Sequence, residues 1–190
     1  MELYMNMENT KRAIAQTAER LSVAVFKKDP LYSASQSFEM SIRSSAIKRH
    51  GAIIESAILD ALQTSQIVTV EKVAFGTFSR EIDVLCVNHD NKTVLAIDVK
   101  RGNGYHDSGK RREMVATSED MSGELRSFFS GYSTSYRYLH YYSDTDKSHT
   151  LSITLKDLKR FTGVDVTPYV DAATMLYSRK VDEIIMERAQ

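Results

Sequence analysis

Two apolar stretches in the middle of the chain restrict its fold more than any other feature. Residues 80–87 (REIDVLCV) and 93–100 (TVLAIDVK) are rich in β-branched residues, and the turn sequence HDNK at 89–92 separates them. This pattern predicts two antiparallel strands joined in a hairpin. Because both alternate faces of the two strands are apolar, the sheet that contains them must be covered by helices on both sides.

The segments on either side of the hairpin contain further strands and helices. Residues 67–74 and 136–143 are predicted to be strands, and residues 31–45 form a looser, serine-rich segment. Helical periodicity predicts helices over residues 8–28, 46–63, 112–130, 154–162 and 168–188. This order predicts one α/β or α+β domain over residues 1–190, in which a central mixed sheet is flanked by helices, with extra N- and C-terminal helices.

The ends of two helices carry recognisable signals. Asn9 or Thr10 is expected to cap the first helix, and Asp29-Pro30 is expected to stop it. Thr154 is expected to cap the helix that follows it.

The composition of the chain excludes several classes of protein. Of the 190 residues 42% are hydrophobic and 26% are charged, with 8 Gly and 2 Pro, which excludes a collagen-like chain and a charged disordered tail. The single cysteine, Cys86, allows neither an internal disulfide nor a cysteine zinc cluster, and we expect it to be buried in a strand. No apolar run approaches the roughly 18 residues of a membrane helix, and the N-terminus lacks a signal-peptide pattern. We therefore expect a cytoplasmic protein with no membrane partner.

The charges are balanced overall but unevenly distributed. The 25 Lys and Arg residues equal the 25 Asp and Glu residues, so any binding to nucleic acid must come from local charge. Residues 100–112 contain five Lys or Arg and one Asp, a local charge of +4, and residues 43–50 contain a second basic group. A solvated surface is the alternative for both groups. The predicted contacts to DNA phosphates are Arg101, Lys110, Arg111, Arg112, Lys48 and Arg49.

Two aspartates lie within the apolar strands, where aspartate is depleted. Asp83 follows Ile82 in the first strand, and Asp98 follows Ile97 in the second. If the turn is centred on residues 90–91, the numbers of paired residues sum to 181 and Asp83 lies opposite Asp98, with Cβ atoms about 4.5–5.5 Å apart. Two like charges at that distance repel each other unless a divalent cation such as Mg2+ lies between them. A register shifted by one residue would separate the pair.

A lysine accompanies the second aspartate. Lys100 is two residues beyond Asp98 and therefore points to the same face of the strand. An amine there can hold an attacking water or neutralise charge that develops on a phosphate. The Asp-x-Lys triplet alone is not specific, because it occurs at 90–92, 98–100 and 157–159. The middle triplet differs from the others because it ends an apolar strand, opposite another aspartate.

These residues resemble the motif of the PD-(D/E)xK nuclease superfamily, which has the restriction-endonuclease-like fold. The likeness covers roughly residues 47–143, the expected core, and leaves helical flanks at 8–45 and 154–188. Ile82 stands where many members carry a proline. The matching segments are Ile82-Asp83, Asp98-Val99-Lys100 and the Gly-x-x-x-Glu sequence at 51–55.

The resemblance implies a role for each matching residue. Asp83, Asp98 and the backbone carbonyl of Val99 are then ligands of Mg2+, for which Mn2+ can substitute. Lys100 is the lysine that orients water, and Glu55 is an auxiliary acid that faces the metal. The implied function is a Mg2+-dependent endonuclease that hydrolyses phosphodiester bonds of double-stranded DNA, in a type II restriction system or another small DNA-processing or defence system. Cuts in both strands would suit a homodimer, with one site per strand.

Three alternatives stay open. A non-catalytic relative would keep the fold and bind or assemble on nucleic acid. A nucleotide-binding protein would use the G-x-x-x-x-G-K sequence at 104–110, although Arg111 stands where that motif has Ser or Thr. The alternating residues Tyr136, Tyr138, His140 and Tyr142 form either a half-buried sheet face, which we favour, or a surface that stacks on bases.

Overall fold

The computed structural model of the chain describes residues 6–23, 30–63, 68–74, 81–101, 108–142 and 151–189. In chain order these residues form α1 (Glu8–Ser22), α2 (Ala34–Leu62), β1 (Val68–Ala74), β2 (Glu81–Asn88), β3 (Thr93–Lys100), α3 (Ser108–Phe128), β4 (Ser133–His140), β5 (Ser152–Ile153), α4 (Leu155–Thr162) and α5 (Thr167–Ala189). The hairpin strands and the last two helices lie within one residue of their predicted bounds. Thr154 caps α4 as predicted, in a capping box with Asp157. The first helix ends at Ser22, and residues 24–29, with the predicted stop at Asp29, lie outside the described residues.

The five strands form one mixed sheet in the order β1-β2-β3-β4-β5. β1, β2 and β3 are antiparallel neighbours, whereas β3, β4 and β5 pair in parallel. A parallel β3–β4 pair needs a crossover connection, and the connection between these strands contains α3. The predicted mixed α/β class is therefore confirmed. β4 begins three residues before its predicted start, and β5 has two residues, too few to show a period in the sequence.

Helix α3 packs against one face of the sheet. On the opposite face Val84 and Ile97 are fully buried as well. Both faces of β2 and β3 are therefore buried, as their continuous apolar sequence predicts. The hydrophobic cluster that includes α3 contains the buried residues Ile82, Leu85, Val87, Val94, Ala96, Met114, Met121, Leu125, Tyr136 and Tyr138.

The chain divides into two compact units. One unit contains residues 1–60 and 168–190, and the other contains residues 61–167. The sheet, α3 and α4 belong to the second unit. In the first unit α1, α2 and α5 pack around a hydrophobic core of their own. The description of the chain as a single domain with its core at 47–143 stays a prediction.

Helix α1 is capped by a carboxylate of another helix. Met7 occupies its N-cap position, and the Met7 side chain makes no capping hydrogen bond. Asp60 of α2 is buried and accepts hydrogen bonds from Asn9 N (3.1 Å), Asn9 Nδ2 (2.9 Å), Thr10 N (2.8 Å) and Thr10 Oγ1 (2.6 Å). The prediction that Asn9 or Thr10 is the cap is therefore wrong. The unpaired N–H groups and the positive dipole of a helix start favour any well-placed carboxylate, including one distant in sequence.

Helix α2 begins at Ala34, inside the serine-rich segment at 31–45, so the prediction of a looser segment there is wrong. Ser33 and Gln36 form a capping box, in which Gln36 N donates to Ser33 Oγ (3.2 Å) and Ser33 N donates to Gln36 Oε1 (3.1 Å). Ile42 is fully buried in the core of the first unit. Tertiary packing of this kind outweighs the modest helix propensity of serine.

Replacing Asp60 by alanine should destabilise the protein by about 2–4 kcal/mol, because a charged acceptor of several buried hydrogen bonds is lost and the N–H groups of α1 lose their partner. Urea unfolding followed by circular dichroism measures this loss. Asp171→Ala is the matched control, since Asp171 is an exposed aspartate on α5. Equal stabilities of the two variants would contradict the capping role of Asp60.

Cys86 should not react with thiol reagents while the protein is folded. The residue is 4% exposed, and burial raises the pKa of its thiol from 9.0 to about 12. The reactive thiolate is therefore nearly absent at pH 8 in the folded chain. Between pH 9 and pH 12 the thiol of Cys86 is ionised mainly in the unfolded chain. The free energy of unfolding should therefore decrease as the pH rises from 9 towards 12. Labelling with a chromogenic disulfide at pH 8, with and without denaturant, tests this, and rapid labelling of the folded protein would refute it.

Candidate metal and nucleic-acid site

The antiparallel register of β2 and β3 is the predicted one. In every pair of this ladder the two residue numbers add to 181, from Asn88–Thr93 at the turn to Val84–Ile97. Asp83 and Asp98 follow at the next position, so the register places them on neighbouring strands and on the same face. The shifted register that would separate the two aspartates does not occur.

The Asp83 carboxylate connects the two strands where their ladder ends. Its Oδ2 atom accepts a hydrogen bond of 2.7 Å from the backbone N–H of Val99. Asp83 is half-buried, and this bond holds its side chain against β3. The carboxylate therefore lies beside the backbone of the residue that follows Asp98.

The Asp98 carboxylate has a partner on each oxygen. Lys100 Nζ donates to Asp98 Oδ1 and forms an ion pair with it. The Tyr136 hydroxyl donates to Asp98 Oδ2 over 3.3 Å. The side chain of Asp98 is 19% exposed and that of Lys100 is 39% exposed, so the ion pair is open to solvent on the lysine side. The i, i+2 spacing correctly predicts that Asp98 and Lys100 share a face.

Tyr136 is the member of this cluster that the sequence reasoning missed. The residue is 3% exposed and lies on β4, opposite Ala96 of β3 in the parallel ladder. Burial raises the pKa of its phenol, and the charges of Asp98 and Asp83 raise it further. The hydroxyl therefore stays protonated and acts as a donor. The alternation of residues along β4 indicated that Tyr136 lies on a sheet face. The spacing of residues in the sequence could not show which residues of β3 would lie beside it.

The basic segment at 100–112 is largely helical where it is described. Helix α3 begins at Ser108, not near residue 112, so Lys110, Arg111 and Arg112 lie in its first turns and not in a loop. All three are exposed, and Lys110 forms an ion pair with Glu113 (3.0 Å). Residues 102–107 lie outside the described residues, and so does most of the G-x-x-x-x-G-K sequence at 104–110, on which the nucleotide-binding alternative depends.

One hydrogen bond shows where the start of α3 lies relative to the carboxylates. The Tyr138 hydroxyl donates to the backbone carbonyl of Met114 (3.2 Å), and Tyr138 is the ladder partner of Asp98. Lys110 is one helical turn before Met114, about 6 Å along the helix axis. The basic turn of α3 therefore starts close to the end of β3 that carries Asp98 and Lys100.

The remaining predicted site residues lie on α2. Glu55 is half-buried, and Lys48 and Arg49 are exposed. They belong to the first unit, whereas Asp83 and Asp98 belong to the second. The assignment of Glu55 to the metal and of Lys48 and Arg49 to DNA therefore stays a prediction.

The donor atoms at the end of β3 suit a hard divalent cation. Asp83 and Asp98 bring two carboxylates to this strand end, and Mg2+ typically takes one or two carboxylates and completes its shell with water and phosphate. Among the described residues no group of three or more His, Cys, Asp or Glu side chains forms a metal-binding cluster. A cation here would therefore depend on the two strand carboxylates.

A cleft of about 250 Å3 lies at the other end of the sheet. It is lined by residues that include Asn88, Thr93, Ser133 and Phe161. Thr93 lies five positions before Asp98 along β3, a distance of about 17 Å. This cleft is therefore distinct from the carboxylate cluster, and its lining contains no Asp or Glu.

The chain was compared with known protein families and with curated proteins. No family model matches it, and no curated protein matches it either. Among the described helices none is long and apolar enough to cross a lipid bilayer.

The Tyr136→Phe variant should bind Mn2+ about tenfold more weakly than the wild type, because the hydroxyl that orients Asp98 is lost. Isothermal titration calorimetry in the absence of DNA measures the affinity. Tyr138→Phe is the matched control, since the Tyr138 hydroxyl donates to a backbone carbonyl and not to a carboxylate. Unchanged Mn2+ affinity in Tyr136→Phe would show that the phenol does not support the site.

Proposed function

We propose that this protein is a Mg2+-dependent DNA endonuclease with a restriction-endonuclease-like core. The observation that carries the proposal is the cluster at the end of β3, where Asp83 and Asp98 share a sheet face and Lys100 is paired with Asp98. Two carboxylates and an amine at one strand end are the groups that phosphodiester hydrolysis needs. The mixed sheet flanked by helices is compatible with this core.

Each residue of the cluster has a distinct task in this proposal. Asp83, Asp98 and the Val99 carbonyl would hold the cation, with Glu55 as the auxiliary acid. When bound, the cation supplies Lewis-acid chemistry, which neutralises phosphate charge and acidifies a water. The Lys100 ammonium orients the attacking water and stabilises the charge that develops on the phosphate oxygens. Tyr136 keeps Asp98 in one orientation through its hydrogen bond to Oδ2.

The basic groups near the cluster would bind the DNA backbone. Arg101 directly follows β3, and Lys110, Arg111 and Arg112 are exposed on the first turns of α3. Contacts of this kind act on phosphates and weaken as salt increases. Lys48 and Arg49 are proposed to add to them. Since the net charge of the chain is zero, affinity for DNA would come from this confined region.

Cleavage of both strands of a duplex would require two copies of the site. A homodimer with one site per strand meets that requirement. The N- and C-terminal helices outside the proposed core, α1, α4 and α5, are candidates for the dimer contact and for recognition of the target. This arrangement would suit a type II restriction enzyme or another small DNA-processing or defence nuclease.

One observation favours a second candidate function. Both oxygens of Asp98 already have partners, from Lys100 and Tyr136. A partly buried carboxylate that is paired in this way also occurs as a structural ion pair. The second candidate is therefore a nucleic-acid-binding or assembly protein that keeps the nuclease fold without its chemistry.

The two candidates differ in a plasmid cleavage assay. With Mg2+ the wild type should cut plasmid DNA, and Asp98→Ala and Lys100→Ala should each reduce the rate by at least about a hundredfold, because charge stabilisation in the transition state is lost. Both variants should still bind DNA in a gel-shift assay. Gel electrophoresis of the plasmid over time gives the rates.

Matched controls come from the other Asp-x-Lys triplet of this hairpin, at residues 90–92. Asp90→Ala and Lys92→Ala change exposed turn residues with the same spacing and should leave cleavage unchanged. Chelation of the metal should stop cleavage by the wild type. If the wild type binds DNA but cuts none of several substrates with Mg2+ or Mn2+, the second candidate replaces the first.

A further inference from the structure

An exposed tyrosine follows the strand that pairs in parallel with β3. Arg101 directly follows β3, and Tyr142 follows β4 by two residues. The guanidinium carbon of Arg101 is 5.8 Å from the centroid of the Tyr142 ring. Lys100 and His140 are partners in the parallel ladder, and neighbouring strands are about 4.8 Å apart. Arg101 and Tyr142 therefore lie at the strand ends that also carry the Asp98–Lys100 pair.

The Tyr142 ring is held at the surface by a buried neighbour. Tyr142 is 54% exposed, whereas Tyr141 is 7% exposed. The centroids of the two rings are 4.7 Å apart and the rings are tilted by 44°. Because Tyr141 anchors it, Tyr142 offers an aromatic surface to a ligand at a small cost in side-chain entropy.

A second cation–π pair in the chain differs from this one in the exposure of its ring. Arg188 also lies over an aromatic ring, that of Phe38, at 5.0 Å. Phe38 is partly buried and packs against the core of the first unit, so that contact stabilises the fold. Tyr142 also has an arginine over its ring, Arg101, but more than half of the surface of Tyr142 is exposed to solvent.

We propose that Tyr142 stacks on an unpaired nucleobase and that Arg101 binds the adjoining phosphate. This inference rests on the proposed nuclease function and specifies its substrate class. Aromatic side chains stack on bases of single strands, loops and ends, whose faces are accessible, whereas base faces inside a duplex are covered by their neighbours. The site should therefore favour DNA that has both a duplex and an unpaired nucleotide, such as a duplex with a single-stranded extension, over a duplex without one.

Fluorescence anisotropy with labelled oligonucleotides in EDTA tests the site without cleavage. The probes are a blunt duplex and the same duplex with a short single-stranded extension of either polarity. Tyr142→Ala should bind the extended probes about tenfold more weakly and the blunt probe unchanged, because one base stack is lost. Tyr142→Phe keeps the ring and should keep most of the affinity.

Phe161→Ala is the matched control for an exposed aromatic residue. Phe161 is 52% exposed and lines the cleft at the other end of the sheet, so this variant should bind all probes like the wild type. The stacking site is refuted if Tyr142→Ala binds the extended probes normally, or if it loses affinity equally for the blunt duplex.

The result of this binding test can be distinguished from the result of the cleavage test of the nuclease proposal. If the wild type cuts DNA and Tyr142→Ala behaves like the wild type on every probe, the nuclease stands and the stacking site fails. If no substrate is cut but Tyr142→Ala selectively weakens binding of the extended probes, the stacking site stands on a non-catalytic protein.

Discussion

The backbone ladder between β2 and β3 decides which side chains meet at the candidate site. Side chains alternate between the two faces of a strand, so a slip of one residue would move Asp83 to the face opposite Asp98. The observed register keeps both aspartates on one face, and strand alternation within β3 puts Lys100 on the same face as Asp98, with which it forms an ion pair. The hydrogen bond from Val99 N to Asp83 then continues the connection of the two strands beyond the last ladder pair. The proposed sharing of one cation by Asp83 and Asp98 depends on this alignment.

The cluster also illustrates how a sheet accommodates charge at the partly buried ends of its central strands. An unpaired carboxylate in such a position would be costly, and two neighbouring ones would repel each other. Lys100 supplies an opposite charge and the Tyr136 hydroxyl supplies a donor. The same groups that compensate Asp98 in the folded chain are those that would assist a metal and a phosphate during hydrolysis. The contacts of Asp98 with Lys100 and Tyr136 would therefore serve both the stability of the folded chain and the proposed chemistry.

Much of the fold could be predicted because its signals are local. The hairpin, its register and the helices α4 and α5 follow from periodicity and turn residues within short segments. The errors arose where distant contacts outweighed local preference. The N-terminus of α1 is capped by Asp60, about fifty residues away. The serine-rich start of α2 is helical because Ser33 and Gln36 cap it and Ile42 is buried in the core.

In the candidate site, too, some residues follow from local sequence signals and others from distant contacts. The sequence by itself determined that Asp83, Asp98 and Lys100 share a face, because strand alternation and a short turn set their positions. Only the tertiary structure brought Tyr136 to Asp98 and Tyr142 to Arg101, since both tyrosines depend on the parallel pairing of β4 with β3 after the crossover through α3. A hairpin register follows from the residues between its strands, whereas a parallel pairing is decided by how a helix packs across the sheet.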